Sequence, residues 1–320
     1  MRQITISQND ANQRLDKFLI KTYSNFPKAL IYKYIRLKRI KINDKRTEIS
    51  YILQLGDNLK LYVNDDLLIK SEKKYDFMYS SDKLNIVYED QNILLVDKPQ
   101  GLIVHPDDKE FRDTLITRIQ KYLYNKGEYI PENENSFSPA LANRIDRNTG
   151  GIVIAAKNAE TLRILNEKIK SREISKYYLC VVHGKMEHKH QTLTAYLEKN
   201  SDKNKVYINN KSNDKNKIIK TEYTVLGYKN NLSLLEINLH TGRTHQIRAH
   251  LSSIGHHLLG DGKYGKLQSD KKIGFKHQAL YSYKLCFDFK TDAGILSYLQ
   301  DRQFKVEDVW FAKQLFNINV

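Results

Sequence analysis

The feature that most limits what this chain can fold into is the order of its short apolar runs. Strand-like segments stand at 86–89 (IVYE), 93–96 (ILLV), 152–156 (IVIAA), 177–184 (YYLCVVHG), 221–228 (TEYTVLGY), 232–240 (LSLLEINLH) and 284–289 (KLCFDF). IVIAA is too short for a helix and reads as a buried strand. Helical spacing intervenes at Leu115, Ile119 and Leu123, and again at Leu162, Leu165 and Ile169, where Asn158 can cap and Glu160 suits the first turn. Strands mixed with helices, without regular β-α alternation, predict an α+β domain rather than a doubly wound one.

Ahead of it, residues 13–63 read as a compact unit. Leu15, Phe18 and Leu19 repeat at helical spacing, and Pro27 opens a second helix whose inward face is Leu30 and Tyr34. Lys28, Lys33, Arg36, Lys38 and Arg39 lie on its outward side, as a solvated face or an RNA contact. After the Asn43-Asp44 turn, Leu59, Leu61 and Val63 alternate as a strand does. Residues 65–84 lose the pattern and read as a linker. The expected organisation is a small domain over 1–64, a linker over 65–84 and a large domain over 85–320. Positions 199–220, rich in Lys and Asn, read as a mobile hairpin, and the C-terminal tail packs on the core through Trp310 and Phe311.

Lys and Arg number 53 against 37 Asp and Glu, a formal charge of +16. Such a surplus favours a polyanionic partner, since each cation set against a phosphate releases counterions; codon bias toward Lys is the bland alternative. No apolar run approaches the roughly 18 residues of a membrane helix, and the N-terminus has no apolar leader core. Cys180 and Cys286 sit in strand-like stretches, where thiols act as small hydrophobes. A cytoplasmic protein without disulfides is expected.

Three stretches could carry chemistry. Positions 143–151 (NRIDRNTGG) set Asp146 between Arg144 and Arg147, in a turn leading into the buried strand. A loop salt bridge would explain Asp146, and turn chemistry the glycines; a carboxylate braced by cations and anchored on a core strand would also be fixed for reaction. Positions 175–179 (SKYYL) send Tyr177 and Tyr178 to opposite faces, one free to line a cleft and the other core. Positions 241–250 (TGRTHQIRAH) place Arg243, His245, Arg248 and His250 beside glycine, a phosphate-handling composition. His245 and His250 are five apart, off a common helical face, which disfavours a metal site. Positions 260–265 fit G-x-G-x-x-G, but no amphipathic helix is expected after them, and no Walker loop is present. Lys98, with the DKPQGLIVHP stretch at 97–106, is either a rigid connector or an RNA contact.

Taken in order, DKPQGLIVHP, NRIDRNTGG, SKYYLCVVHG, TGRTHQIRAHL, GHHLLGDGKYG and FDFKTDAGI resemble the RluA family of RNA pseudouridine synthases, closest to the two-domain type that acts on large-subunit ribosomal RNA. The resemblance spans about 85–294, and the N-terminal unit resembles the small S4-like RNA-binding domain. Asn143, Asn148 and Gly150 depart from the common H-R-L-D-R-D-T-S-G pattern, and His257 stands where Pro is frequent.

The resemblance implies a mixed, mostly antiparallel sheet. It puts the nucleophile on Asp146, the active-site tyrosine on Tyr178 and the basic partner on Arg248. It also implies RNA contacts at Arg144, Arg147, Arg243, His245 and Lys98, with Lys28, Lys33, Arg36 and Arg39 on the small domain. The implied reaction needs no metal, cofactor or nucleotide. The partner is RNA, with ribosomal RNA ahead of tRNA, no membrane, and a monomeric chain. A non-catalytic RNA-binding or ribosome-assembly factor on the same fold is the alternative, and a metal-dependent nuclease a more distant one.

Overall fold

The computed structural model describes residues 1–70, 75–108, 110–200, 205–214, 216–265 and 267–319. The N-terminal unit comprises β1 (Arg2–Thr5), α1 (Leu15–Thr22), α2 (Lys28–Arg36), β2 (Ile40–Ile42), β3 (Lys45–Arg46) and β4 (Asn58–Leu61). Its strands form an antiparallel sheet in the order β1-β4-β2-β3. Leu15, Phe18 and Leu19 of α1 share one core with Leu59 and Leu61 of β4. In α2 the buried stripe is Ile31 and Ile35, while Leu30 and Tyr34 pack only at its margin. A helix of two and a half turns carries adjacent apolar rows, and the sequence does not say which row is central. Lys28, Lys33, Arg36, Lys38 and Arg39 are all exposed.

The supposed linker is largely spent on the two domains. A 3-10 turn at Asp65–Leu68 buries Leu68 in the N-terminal core. A second, at Asp76–Tyr79, buries Phe77 against Leu115, Ile119 and Leu123. Single anchors in polar sequence leave no periodicity to read. Residues 71–74 lie outside the described residues.

The larger domain is an α+β unit around one sheet. Its strands are β5 (Ile86–Glu89), β6 (Ile93–Lys98), β7 (Ala140–Leu141), β8 (Gly150–Ala156), β9 (Ile174–His183), β10 (His190–Asn200), β11 (Lys205–Asn209), β12 (Lys217–Lys229), β13 (Leu232–Leu239), β14 (Leu280–Phe287) and β15 (Gln303–Lys305). Its helices are α3 (Leu115–Asn125), α4 (Ala159–Lys170), α5 (Gln246–Ser253), α6 (Leu267–Lys272) and α7 (Trp310–Phe316). The main path runs β11-β10-β12-β13-β9-β14-β8-β6-β5, with β7 on β8 and β15 on β14. Among the described residues every pairing is antiparallel except β14 with β8, where Tyr281 and Ser282 lie beside Gly150 and Gly151.

That parallel seam explains the two glycines better than a turn does. A Cβ on Gly151 would stand 2.2 Å from the Ser282 carbonyl oxygen, and one on Gly150 would enter the Tyr281 ring. The stretch expected as a hairpin at 199–220 holds β11, antiparallel to one side of β10, whose other side pairs with β12; its positions 201–204 and 215 lie outside the described residues. β10 itself had escaped the sequence reading, because its polar residues alternate with few apolar ones. In the tail Phe311 is fully buried, but Trp310 stays partly exposed, stacked on Phe275.

Both sheet faces are covered. α3 packs on Leu94, Val96, Val153 and Ala155, and α5 packs beside it on Cys180, Leu235 and Ile237. α4 and α7 cover the opposite face. Local signals start α3 and α4: Thr114 and Thr117 form a reciprocal capping box, and the Asn158 side chain accepts from the Thr161 amide at 2.8 Å. The two domains meet through polar groups. Buried Asp10 accepts from Asn135 Nδ2 at 2.8 Å and Ser136 Oγ at 2.7 Å, and Asn9 Oδ1 accepts from the Ala159 amide at the start of α4.

Candidate active site

The 143–151 loop is fastened at both ends and in its middle. Asn143 Oδ1 accepts from the Ile154 amide at 2.8 Å, the Ala142 amide donates to the Ile154 carbonyl, and the Thr149 amide closes a turn on the Asp146 carbonyl. Lys98 holds the middle. It is fully buried, and its Nζ donates to the carbonyls of Pro99 (2.9 Å), Leu102 (2.7 Å) and Arg147 (2.9 Å). All three ammonium protons are spent inside the protein, so Lys98 has none to offer a phosphate. The expectation that it grips RNA is corrected: it fixes the loop.

The Asp146 side chain, a quarter exposed, therefore leaves this loop in a set direction. Its Oδ2 accepts from Arg248 Nη1 at 2.8 Å, with His245 Nε2 at 3.8 Å. Its Oδ1 accepts no hydrogen bond among the described residues. One oxygen is tied and the other is available.

Arg248 comes from the first turn of α5 and is itself held. Its Nε and Nη2 donate to the two oxygens of Asp261 at 2.7 and 2.8 Å. Asp261 is completely buried and also accepts from the Lys263 and Tyr264 amides. Burial works to raise the Asp261 pKa, but the guanidinium fork and the amides outweigh it and hold the carboxyl below its usual range. Burial likewise opposes the charge on Arg248, and the two carboxylates overcome that, raising its pKa. The Tyr264 ring lies against the guanidinium at 5.4 Å.

The approach to α5 is strained. His245, its N-cap, has φ 51° and ψ 20°, a left-handed conformation costly for a residue with a Cβ. Gln246 holds that loop: its Oε1 accepts from Thr241 Oγ1 and the Arg243 amide, while its Nε2 donates to Lys220 O and Thr221 Oγ1. His245 Nδ1 meets the Tyr264 hydroxyl at 3.1 Å. His250 points elsewhere, to Thr221 Oγ1 at 2.9 Å, so the two histidines do not converge.

These elements enclose a cavity of about 900 Å³ over the β8–β14 seam. Tyr178 is buried in its wall, from β9, opposite Ser282 of β14. Burial pushes its phenol up to about 12, with Ser282 opposing and Asp146 adding. Tyr177 goes to the other face, under Lys284 at 4.3 Å. Arg144, Arg147, Arg172, Lys176, Arg243 and Arg248 line the cavity against Asp107 and Asp146 alone among carboxylates of the described residues.

The structure thus gathers Asp146, Tyr178, Arg248, Arg144, Arg147, Arg243 and His245 around one cavity. Lys28, Lys33, Arg36 and Arg39 lie on the other domain, on α2 and just beyond it. Sequence reading missed Asp261, Tyr264 and Lys176. Asp261 and Tyr264 fall within the G-x-G-x-x-G match, which is followed by α6, a helix of only six, mostly polar residues. The signal that could have found Asp261 is an acid between glycines near an arginine-bearing helix. Lys176 lines the cavity with no hydrogen-bonded partner among the described residues, and burial lowers its pKa.

By fold and site the chain is thus an α+β protein whose mixed, mostly antiparallel sheet carries an aspartate–arginine pair at a cationic cavity. The family model described as RNA pseudouridylate synthase matches residues 92–253. An uncharacterized RNA pseudouridine synthase of Mycoplasma genitalium is 33% identical over 314 residues, covering 96% of each chain. Ribosomal large subunit pseudouridine synthase C of Buchnera aphidicola is 33% identical over 84% of this chain and 82% of its own. Synthase D of Borreliella burgdorferi is 29% identical over 90% and 85%. The solved human RNA pseudouridylate synthase domain containing 1 shares the fold, with TM-score 0.53 and 22% identity over 69% of this chain and 83% of its own. The chain belongs to the RluA family of RNA pseudouridine synthases and is an isomerase acting on RNA.

Proposed function

We propose that Asp146 performs the chemistry of uridine isomerisation and that the target is large-subunit ribosomal RNA. The observation that carries the first part is the division of labour within the Asp146 carboxylate: Oδ2 is fixed by Arg248, while Oδ1 faces the cavity without a partner among the described residues.

The reaction breaks N1–C1′, turns the uracil and joins C5 to C1′; the C5 proton leaves and N1 regains one, so composition is unchanged. A single anionic oxygen suffices to start it, by attack on C1′ or by taking a ribose proton. Arg248 fixes the carboxylate through a charge-assisted bond to its other oxygen, Oδ2, and is itself anchored on Asp261. The target base leaves its stack to enter, costing a few kcal/mol that pocket contacts offset. Tyr178 supplies an aromatic wall for it. A phenol pushed up to about 12 stays protonated at neutral pH, which suits stacking and hydrogen-bond donation better than removal of the C5 proton. Arg144, Arg147 and Arg243, which line the cavity, would meet phosphate, with His245 beside the carboxylate.

The large-subunit target is supported by relatives named for it at about 30% identity. The exposed basic row Lys28, Lys33, Arg36 and Arg39 supports RNA contact by the small domain, the role its S4-like resemblance implies. Pseudouridine mapping in cells lacking the gene tests both parts. We expect lost sites in 23S ribosomal RNA, restored by the wild-type gene and not by Asp146→Asn, although that variant still binds RNA. Restoration by Asp146→Asn would refute the catalytic assignment, and losses confined to tRNA would refute the target.

A further inference from the structure

Arg248 separates two openings. One is the cavity holding Asp146. On its other side a second cleft, of about 710 Å³, is bounded by Asn148, Lys263, Lys271, Lys276 and His277. Asn148 belongs to the turn that carries Asp146, so the clefts share a wall of one guanidinium and one turn.

The charge of the second cleft is one-sided. No carboxylate of the described residues lines it. Asp261 is buried, with its oxygens given to Arg248 and to backbone amides. Asp270, on the same short helix as Lys271, is buried too, and accepts from the Gly260 amide at 2.7 Å. Lys271 and Lys276 are exposed and have no acidic partner among the described residues. The frame beneath them is rigid. Gly260, at φ +76°, packs so closely on the His277 carbonyl that a Cβ there would stand 2.2 Å from its oxygen, and Phe275, before Lys276, is buried under Trp310.

We propose that this second cleft binds the phosphodiester backbone of the RNA beside the flipped uridine. The proposal rests on the reading of the first cavity as the uridine site. A nucleotide drawn into that cavity stays joined to its neighbours, whose phosphates must pass over the Arg248–Asn148 wall. Lysines, compact point charges without a fork, suit a backbone held in register more than a base edge being read.

The test compares Lys271→Ala/Lys276→Ala with Lys271→Arg/Lys276→Arg, using substrate RNA at several salt concentrations. Loss of two phosphate contacts should flatten the slope of log K against log salt by about 1.4, and KM should rise on the order of tenfold while kcat holds. The arginine pair should keep the wild-type slope. An alanine pair with wild-type slope and affinity overturns the proposal, as does a collapse of kcat with the slope unchanged. If the wild-type enzyme made no pseudouridine, the first-cavity reading would fail, whereas the slopes would still decide on phosphate binding.

Discussion

Arg248 spends its nitrogens on two carboxylates of opposite exposure: Asp261, fully buried, and Asp146, open to the cavity. Among the described residues the Asp261 carboxylate accepts hydrogen bonds only from the arginine and from two backbone amides, so the role we propose for it is positioning. In Asp261→Asn an amide N–H would face a guanidinium N–H, and the arginine would lose its fork. Misplacement of a catalytic group by about an ångström costs roughly a hundredfold in rate. We expect kcat to fall by about that factor with RNA affinity retained, together with a lower melting temperature. A loss confined to melting temperature, with kcat intact, would make Asp261 structural only. Asp146 was singled out between two arginines in a turn before a strand. Those residues alone suited a loop salt bridge, and only the family resemblance made it a nucleophile; the structure sets it at the cavity. Asp261 was not singled out, because its partner lies 13 residues away and the glycines around it drew attention to phosphate loops. Lys98 misled for a different reason. A lysine beside a proline-glycine connector carries no mark of burial, and only the fold shows three carbonyls meeting its ammonium.

At the level of elements, α5 brings both the arginine that holds Asp146 and a titratable anchor. It docks on β12 through His250, buried against Thr221, and burial pushes that imidazole down to about 4. The unfolded chain takes up this proton near 6.5, and the folded one only near 4. Between the two the unfolded state binds more protons, so stability is full above pH 6.5, falls as pH drops and levels off below about 4. The span is roughly 3 kcal/mol. Denaturant midpoints at pH 7.5 and 4.5 should therefore differ, and the difference should shrink in His250→Gln; an unchanged difference would remove His250 as the cause. Periodic elements were readable in advance, as the Leu115, Ile119, Leu123 row of α3 and the apolar run of β8 show. β10 was not, since an edge-side strand with polar alternation looks like loop. The phase of α2 was also missed, for want of length.

Considered whole, the N-terminal unit meets the larger domain through a set of side-chain hydrogen bonds. Asn9 and Asp10 on one side meet Glu134, Asn135, Ser136 and the α4 amide on the other. Removing both side chains, in Asn9→Ala/Asp10→Ala, should turn one calorimetric transition into two. If the native chain already melts in two steps, this contact does not couple the domains. The boundary near residue 64 was visible as a loss of pattern, but Leu68 and Phe77 show that each domain reaches into the stretch between.

The parallel seam between β8 and β14 also sets an order of events during synthesis. The strand at 280–287 is made near the end of the chain, yet it lies between β9 and β8, which are translated far earlier. At about 5–20 residues per second, the small domain and the first hairpin have time to form while the ribosome is still working. The centre of the sheet must wait. Until that late strand is inserted, Tyr178 has no β14 neighbour and Leu280 is missing from the wall, so the cavity that Asp146 lines is completed only as the last strands are made.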